Sequence, residues 1–484
     1  MLNLHAPDDE VHIQQVKSYI EYDPDPDYQH APQASRESFQ DIKYGVRIHW
    51  GLYSQLHLRK ESWPFLKMSP RKRQAYQQLF QAFNPTGFDA DEWMGLFQRA
   101  GLKCFAITTK HHEGFSLFDT HTRVKRRVNW TASGGPQVED CDLAYSVMET
   151  PFKRDIIRQL CDAARKKDIK IDFYFSHPDW YDADFRPYCY HPLQTGRASR
   201  LPDEYGNPSY HQGLHQSPTW IVAERTPAET ARMVQRHRAQ LVELLTNYGK
   251  IDLLCLDMWL GKDVWPQLRE TIQLLRKIQP DIMLRIRGIG NYGDYNTPEG
   301  VVPGDKSNTD MPWMVIYPLA RSFSYDPNGS FYKGSEWIIK NLVDSVAKGG
   351  NFMVGIGPDE TGQFHPQAVK DLEGAGEWLK VNGEAIFATR PFNPWCEGPG
   401  IFFTRSKDNR SIYVICLKWP GRFLRLKSIQ PRDGLRVSLL GSDASLQWRS
   451  EGQELLVEIP DRLPKPGKYA YTFKLVFILS NIPG

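Results

Sequence analysis

The sequence predicts a parallel α/β unit followed by an all-β module. Short apolar runs alternate with longer amphipathic stretches from Tyr44 onward. At least six such strand–helix pairs follow one another, the pattern of a parallel sheet covered by helices. After Pro391 the helical spacing stops, and apolar runs separated by Gly and Pro continue to the end. The chain has 484 residues, too many for one compact core, so two domains are expected.

The elements follow in order. Residues 1–40 are polar, with Pro24, Pro26 and Pro32 among acidic residues, and read as an N-terminal arm. Residues 44–50 read as a strand. Residues 89–100 carry helical spacing (Trp93, Leu96, Phe97, Ala100) and stop at Gly101. A strand follows at 103–109. A helix at 153–167 has Ile156, Ile157, Leu160 and Ala164 on one face. Strands at 170–176, 251–257 and 282–287 alternate with helices at 228–248 and 264–278. A helix at 336–347 is stopped by Gly349 and Gly350, a strand covers 351–356, and a helix covers 366–381. A closed barrel and an open sheet both satisfy this pattern. Beyond it, 400–405, 411–418, 435–440, 455–459 and 470–479 read as strands of a sandwich.

Composition excludes several classes. The 60 basic and 57 acidic residues leave a net charge of +3, which gives no electrostatic reason for a nucleic-acid or membrane partner. The seven cysteines (Cys104, Cys141, Cys161, Cys189, Cys255, Cys396, Cys416) are odd in number and include no CxxC, which argues against a disulfide framework or a structural zinc. The N-terminus has neither a basic nor an apolar leader segment, and no apolar run approaches membrane-spanning length. A cytoplasmic location is therefore expected. A homo-oligomer is compatible with the sequence.

The chemistry gathers where strands end. The first ends in His49-Trp50-Gly51, the second in Lys110-His111-His112-Glu113, and the third in Ser176-His177-Pro178-Asp179-Trp180. The next two end in Asp257 and Arg287. One polar residue at a strand end is usually a solvated loop, but recurrence on successive strands marks the active face of a (β/α) barrel. Three chemistries fit. Metal hydrolysis favours ligands spaced to face inward, whereas His111 and His112 are adjacent, so no metal is expected. Serine nucleophilic catalysis lacks a G-x-S-x-G elbow. Glycoside hydrolysis needs two carboxyl groups, with histidines, arginine and indoles gripping the hydroxyls. Asp257 suits the first carboxylate, because it ends the apolar run Leu253-Leu254-Cys255-Leu256. Trp50 and Trp180 are candidate sugar-facing indoles. Residues 180–191 also hold Tyr181, Phe185, Tyr188 and Tyr190, either as loop packing or as a stacking wall.

These residues resemble glycoside hydrolase family 29, the α-L-fucosidases. The matching runs are Tyr44-Gly-Val-Arg-Ile-His-Trp-Gly-Leu-Tyr-Ser54, Thr108-Thr-Lys-His-His-Glu-Gly-Phe115, Ile251-Asp-Leu-Leu-Cys-Leu-Asp257, Thr297-Pro-Glu299, Leu342-Val-Asp-Ser-Val-Ala-Lys-Gly-Gly-Asn351, Gly357-Pro-Asp359 and Trp378-Leu-Lys-Val-Asn-Gly-Glu-Ala-Ile386. They span about residues 40–392, in the family's order. The resemblance implies an irregular (β/α)8-type barrel catalytic domain (41–392) after the arm (1–40), then the β-sandwich (393–484). It implies an exo-acting, retaining α-L-fucosidase without metal or cofactor, acting on fucosylated oligosaccharides or glycoconjugates. His49, His111 and His112 would hold fucose hydroxyls, with Tyr174 near the nucleophile Asp257. Arg287 would lie beside Glu299. Glu61 and Trp63 resemble the family's Glu-Trp pair, interrupted here by Ser62. Glu299 would be the acid/base, because the glycine-rich residues 288–296 can loop over the mouth and Pro298 stiffens the chain before it. Glu61 is the runner-up.

The chain also departs from the family. Cys255 stands where Trp is frequent, Met258 where Gly is frequent, and Trp313-Met314 where a Trp-Glu pair is frequent. These changes lie close to the sugar. They bear on the substrate more than on the reaction and leave open a related sugar such as an α-L-galactoside. A second alternative, a carbohydrate-binding homologue that has lost catalysis, is opposed by the intact Asp257, Glu299 and Arg287.

Overall fold

A computed structural model of the chain describes residues 3–8, 10–186, 226–298, 303 and 309–477. The first nine strands are β1 (Tyr44–Ile48), β2 (Cys104–Lys110), β3 (Val124–Asn129), β4 (Gln137–Leu143), β5 (Lys170–Ser176), β6 (Leu253–Asp257), β7 (Met283–Leu284), β8 (Met314–Pro318) and β9 (Asn351–Ile356). Seven of them form one parallel sheet in the order β7-β6-β5-β2-β1-β9-β8, and β3 pairs with β4 in a sheet of two. β1, β2, β6 and β9 are buried along their whole length, as apolar strands covered on both faces must be.

The sheet curls until its edges nearly meet. Between β7 and β8 runs a segment at 294–296, joined to its neighbours by single bridges, Arg285 to Tyr295 and Asn296 to Trp313. The expected strand at 282–287 is therefore only two residues long. Its end departs to this segment, where the Ile286 amide donates to the Tyr295 carbonyl at 3.1 Å. β8 was not expected from the sequence. It is five residues long and closes on a proline, and its parallel pairing with β9 makes it a strand.

The helices α1 (Val11–Val16), α2 (Gln33–Gln40), α3 (Pro70–Gln77), α4 (Ala90–Arg99), α5 (Ile156–Lys166), α6 (Pro227–Asn247), α7 (Trp265–Ile278), α8 (Gly334–Ala347) and α9 (Pro366–Asn382) complete the α/β unit. Local chemistry starts them. Asp155 caps α5 by accepting from the Arg158 amide. Thr226 and Glu229 make a capping box for α6, with Pro227 in its first turn. The α5 face expected from spacing (Ile156, Ile157, Leu160, Ala164) is buried. Ile156, Ile157 and Leu160 each contribute about 1.5–3 kcal/mol on leaving water.

Residues 10–40 wrap this unit and carry α1 and α2. Val16 and Ile20 pack into the main core. The buried Asp294 accepts from the Ala31 amide, the Leu284 amide and Arg276, which ties the arm to the closing segment.

The C-terminal strands are β10 (Thr389–Glu397), β11 (Ile401–Ser406), β12 (Ser411–Cys416), β13 (Phe423–Leu426), β14 (Leu435–Leu439), β15 (Ser445–Leu446), β16 (Trp448–Glu451), β17 (Glu454–Glu458) and β18 (Tyr471–Phe477). A six-stranded antiparallel sheet (β10-β11-β12-β18-β14-β15) faces a three-stranded one (β13-β17-β16). Phe403, Val414 and Phe473 of the first meet Leu424, Leu426 and Val457 of the second, forming a sandwich with its own core.

Candidate active site

β6 fixes Asp257 at the carboxyl end of the sheet, where its carbonyl still accepts from the His177 amide at 3.0 Å. One carboxylate oxygen, Oδ2, accepts from the Tyr174 hydroxyl at 2.6 Å. The other, Oδ1, accepts from Arg287 at 2.9 Å and from Arg285 at 3.5 Å. Burial alone would raise this carboxyl. The Arg287 and Arg285 guanidiniums, His112 and the Tyr174 hydroxyl reverse that and hold it well below the ordinary carboxylate range. Asp257 is thus an ionised, buried carboxylate with a fixed direction. Gly288 follows Arg287 with a φ of +71°, and a Cβ there would sit 2.3 Å from the Met258 carbonyl. Met258 itself takes a φ of 63°, a conformation glycine adopts more readily, and lines the cavity.

Three histidines stand beside this carboxylate. His49 follows β1, buried, its ring stacked on Phe323 at 5.0 Å. His111 stacks on Tyr174 at 5.6 Å, and its Nδ1 is 2.5 Å from the Ser62 hydroxyl. His112 Nε2 lies 3.7 Å from Asp257 Oδ2. Burial, reinforced by His111, pushes both His49 and His112 well below the ordinary imidazole range, so both are neutral. Strand alternation does not separate His111 from His112. β2 ends at Lys110, the chain turns, and both rings come to the same site. Among the described residues, no three His, Cys, Asp or Glu side chains gather as metal ligands would.

The cavity above Asp257 measures about 620 Å³. His49, Glu61, Trp63, His111, Tyr174, Asp257 and Arg287, all expected from sequence, line it together. Glu61 is buried, and its Oε1 accepts from the Phe323 and Ser324 amides at 3.1 and 3.0 Å. Burial raises its carboxyl, partly offset by His111 and those amides. Trp63 packs edge-on against His112 and Trp180. Trp180 is fully buried behind them and stacks on Phe65, so it backs the wall. Trp50 is not brought to the cavity. It lies among Phe83, Phe88 and Trp93 on the opposite side of β1 from His49, as strand alternation requires. Glu299, Tyr188 and Tyr190 lie outside the described residues, though Thr297 and Pro298 line the cavity.

Sequence reasoning missed other lining residues. Arg47 and Arg285 precede His49 and Arg287 by two positions, so the same alternation could have found them. His12 and Gln15 come from α1, and no local signal links that helix to the site.

The family profile for α-L-fucosidase matches residues 10–384, and the profile for the α-L-fucosidase C-terminal domain matches residues 397–476. Tissue alpha-L-fucosidase of Mus musculus is 27% identical over 468 residues, covering 90% of this chain and 91% of its own length. Plasma alpha-L-fucosidase of Homo sapiens is 27% identical over 445 residues, covering 87% and 85%. Alpha-L-fucosidase isoenzyme 1 from Paenibacillus thiaminolyticus shares the fold with a TM-score of 0.72 at 24% identity, over 92% of this chain and 99% of that one. A Bacteroides thetaiotaomicron α-L-fucosidase, solved as a trapped covalent intermediate with 2-fluoro-fucosyl fluoride, has a TM-score of 0.70 at 22% identity, over 95% and 99%. The relatives named for tissue and plasma overturn the expectation of a cytoplasmic protein. That expectation rested on the composition of one short terminal segment, which carries no address by itself. On the profile match over most of its length, the barrel-and-sandwich architecture and these relatives, the chain belongs to the α-L-fucosidase family of glycoside hydrolases.

Proposed function

We propose that the protein is an exo-acting, retaining α-L-fucosidase. It removes terminal α-L-fucosyl residues from oligosaccharides or glycoconjugates by double displacement. The observation that carries this reading is Asp257, buried yet ionised, held by Tyr174 on one oxygen and by Arg287 on the other. In the first step a carboxylate oxygen of Asp257 attacks the anomeric carbon. The bond to the glycosidic oxygen breaks as Glu299 donates a proton to it, leaving a fucosyl ester on Asp257. In the second step Glu299 takes a proton from water, whose oxygen attacks the same carbon and releases Asp257. Neutral His49 and His112 can each donate one hydrogen bond and accept another, which suits sugar hydroxyls. The related enzyme captured as a covalent intermediate supports such an ester.

The first product tests the mechanism. Two inversions give net retention, so NMR of the early reaction is expected to show α-fucose ahead of mutarotation. Initial β-fucose would mean a single displacement. Chelation tests the histidine roles. Exhaustive dialysis against EDTA is expected to leave kcat/KM unchanged, because the imidazoles bind hydroxyls. Loss of activity with recovery on adding zinc would assign them to a metal.

A further inference from the structure

The cavity is larger than the one sugar ring that Asp257 would attack. Its 620 Å³ is the liquid volume of about twenty waters, whereas a fucosyl residue has about ten non-hydrogen atoms. One flank is taken by groups already described. The His49 and His111 rings each lie 5.6 Å from the Tyr174 ring, and Trp63 lies 4.9 Å from His112, which is itself 3.7 Å from Asp257 Oδ2. Another flank is built by a part of the chain distant in sequence. The N-terminal arm lays α1 along the residues that follow Asp257 and Arg287. Tyr19 donates to the Leu260 carbonyl at 2.8 Å, the Ala6 amide donates to Asn291 Oδ1 at 3.0 Å, and Ile13 packs against Ile286 and Met311. The Asn296 amide donates to the Pro312 carbonyl at 2.9 Å, which sets Thr297 and Pro298 on this same flank.

Helical spacing gives α1 two faces. Ile13 and Val16 pack into the protein, while His12 and Gln15, also three apart, line the cavity. Both polar residues are buried, at 8% and 7% exposure. A helix that only braced the barrel would bury apolar side chains here. Gln15 Oε1 is moreover buried without a donor among the described residues. Buried amides are ordinarily satisfied, so an unsatisfied one facing a cavity points to a ligand. The last torsion of a glutamine is soft, so either end of the amide can turn to the cavity. It can donate to one hydroxyl and accept from another. The α1 sequence Val-His-Ile-Gln-Gln-Val holds no Asp, Glu, Lys or Arg, which suits a neutral ligand rich in hydroxyls.

We infer that α1 walls the aglycone subsite and that Gln15 binds a hydroxyl of the neutral sugar to which the fucosyl group is attached. The arm thereby favours saccharide over aryl leaving groups. This rests on the proposed function and on Glu299 as its acid/base. The acid/base must reach the glycosidic oxygen, so the aglycone lies on its side of the cavity. Thr297 and Pro298, which lead directly to Glu299, share the flank that α1 covers.

The test compares the full-length wild type with Gln15→Leu, which keeps size but removes the amide. Each is assayed on α-1,2-, α-1,3-, α-1,4- and α-1,6-linked fucosyl disaccharides and on 4-nitrophenyl α-L-fucoside, whose aglycone has no hydroxyl. The readout is the ratio of kcat/KM on the disaccharide that the wild type cleaves best to kcat/KM on the aryl fucoside. Gln15→Leu is expected to lower this ratio about tenfold, the scale of one hydrogen bond to a buried polar group. The loss should fall chiefly on KM for the disaccharide, as removal of a contact present before and during the reaction implies. A ratio unchanged from wild type would overturn the subsite, because general damage to the fold lowers both activities together. Should Gln15→Leu fail to fold, Gln15→Asn, which keeps the amide but shortens its reach, decides on the same ratio. A wild type that cleaves none of these fucosides would overturn the proposed function and the subsite with it, whereas an active wild type with an unchanged ratio in the variant overturns the subsite alone.

Discussion

Asp257→Gly is expected to lower kcat by about a thousandfold or more, the scale on which loss of a nucleophile acts. The fold should persist. The Asp257 side chain faces the cavity, and the core is built from the apolar strands and helices around it. Removing the carboxylate leaves Arg287 and Arg285 facing a gap into which water can enter from the cavity. That gap is positively charged and one carboxylate in size, so azide should enter it and attack the anomeric carbon from the side Asp257 used. Added azide is expected to restore part of the rate on an aryl fucoside and to give a fucosyl azide of inverted configuration. The pH dependence has a definite sign. Asp257 is held well below the ordinary carboxylate range, so the ionised form persists at pH values where a free aspartate would be protonated. The acid limb of kcat/KM due to this group should lie below the pKa of free aspartate. The stability this ionised carboxylate contributes is present above its unfolded value and is lost only as pH falls through its depressed folded value. Wild-type-like turnover in Asp257→Gly would end the assignment.

Glu299→Ala should divide substrates by leaving group. Fucosides with poor leaving groups need a proton on the departing oxygen, and their kcat/KM is expected to fall about a hundredfold to ten-thousandfold. Aryl fucosides with good leaving groups should fall far less, because the phenolate departs unaided. The basic limb of the pH–rate profile should flatten, since the group that must hold a proton is gone. Pro298, one residue earlier, already lines the cavity that holds Asp257. Equal losses on both substrate types would move the role to Glu61. That residue also lines the cavity and its carboxyl is raised by burial, which suits an acid. The Phe323 and Ser324 amides, however, fix one of its oxygens and favour its charged form.

Much of this was legible in the sequence. Periodicity located the strands that become β1, β2, β5, β6 and β9 and the six long helices of the described residues, because burial of one face depends on local spacing. The same periodicity put His49 and Asp257 at strand ends. It read Trp50 as sugar-facing, although alternation turns it away from His49, and it ran a strand on to Arg287, although β7 stops at Leu284. It failed where regular backbone stops. β2 ends before His111-His112, so two neighbours that a strand would separate both reach the site. It also missed β8 and the segment at 294–296, whose pairing is decided by edges contributed from distant parts of the chain. The charge on Asp257 depends on Arg285, Arg287, His112 and Tyr174, brought from three other strands or strand ends. Glu61 is fixed by amides more than 250 positions away. His12 and Gln15 reach the cavity because the arm wraps back over the barrel. The sequence by itself determined the layers, the face that carries chemistry and the identity of the nucleophile candidate. The tertiary structure decided which charges meet, because electrostatic pairing acts through space and has no period along the chain.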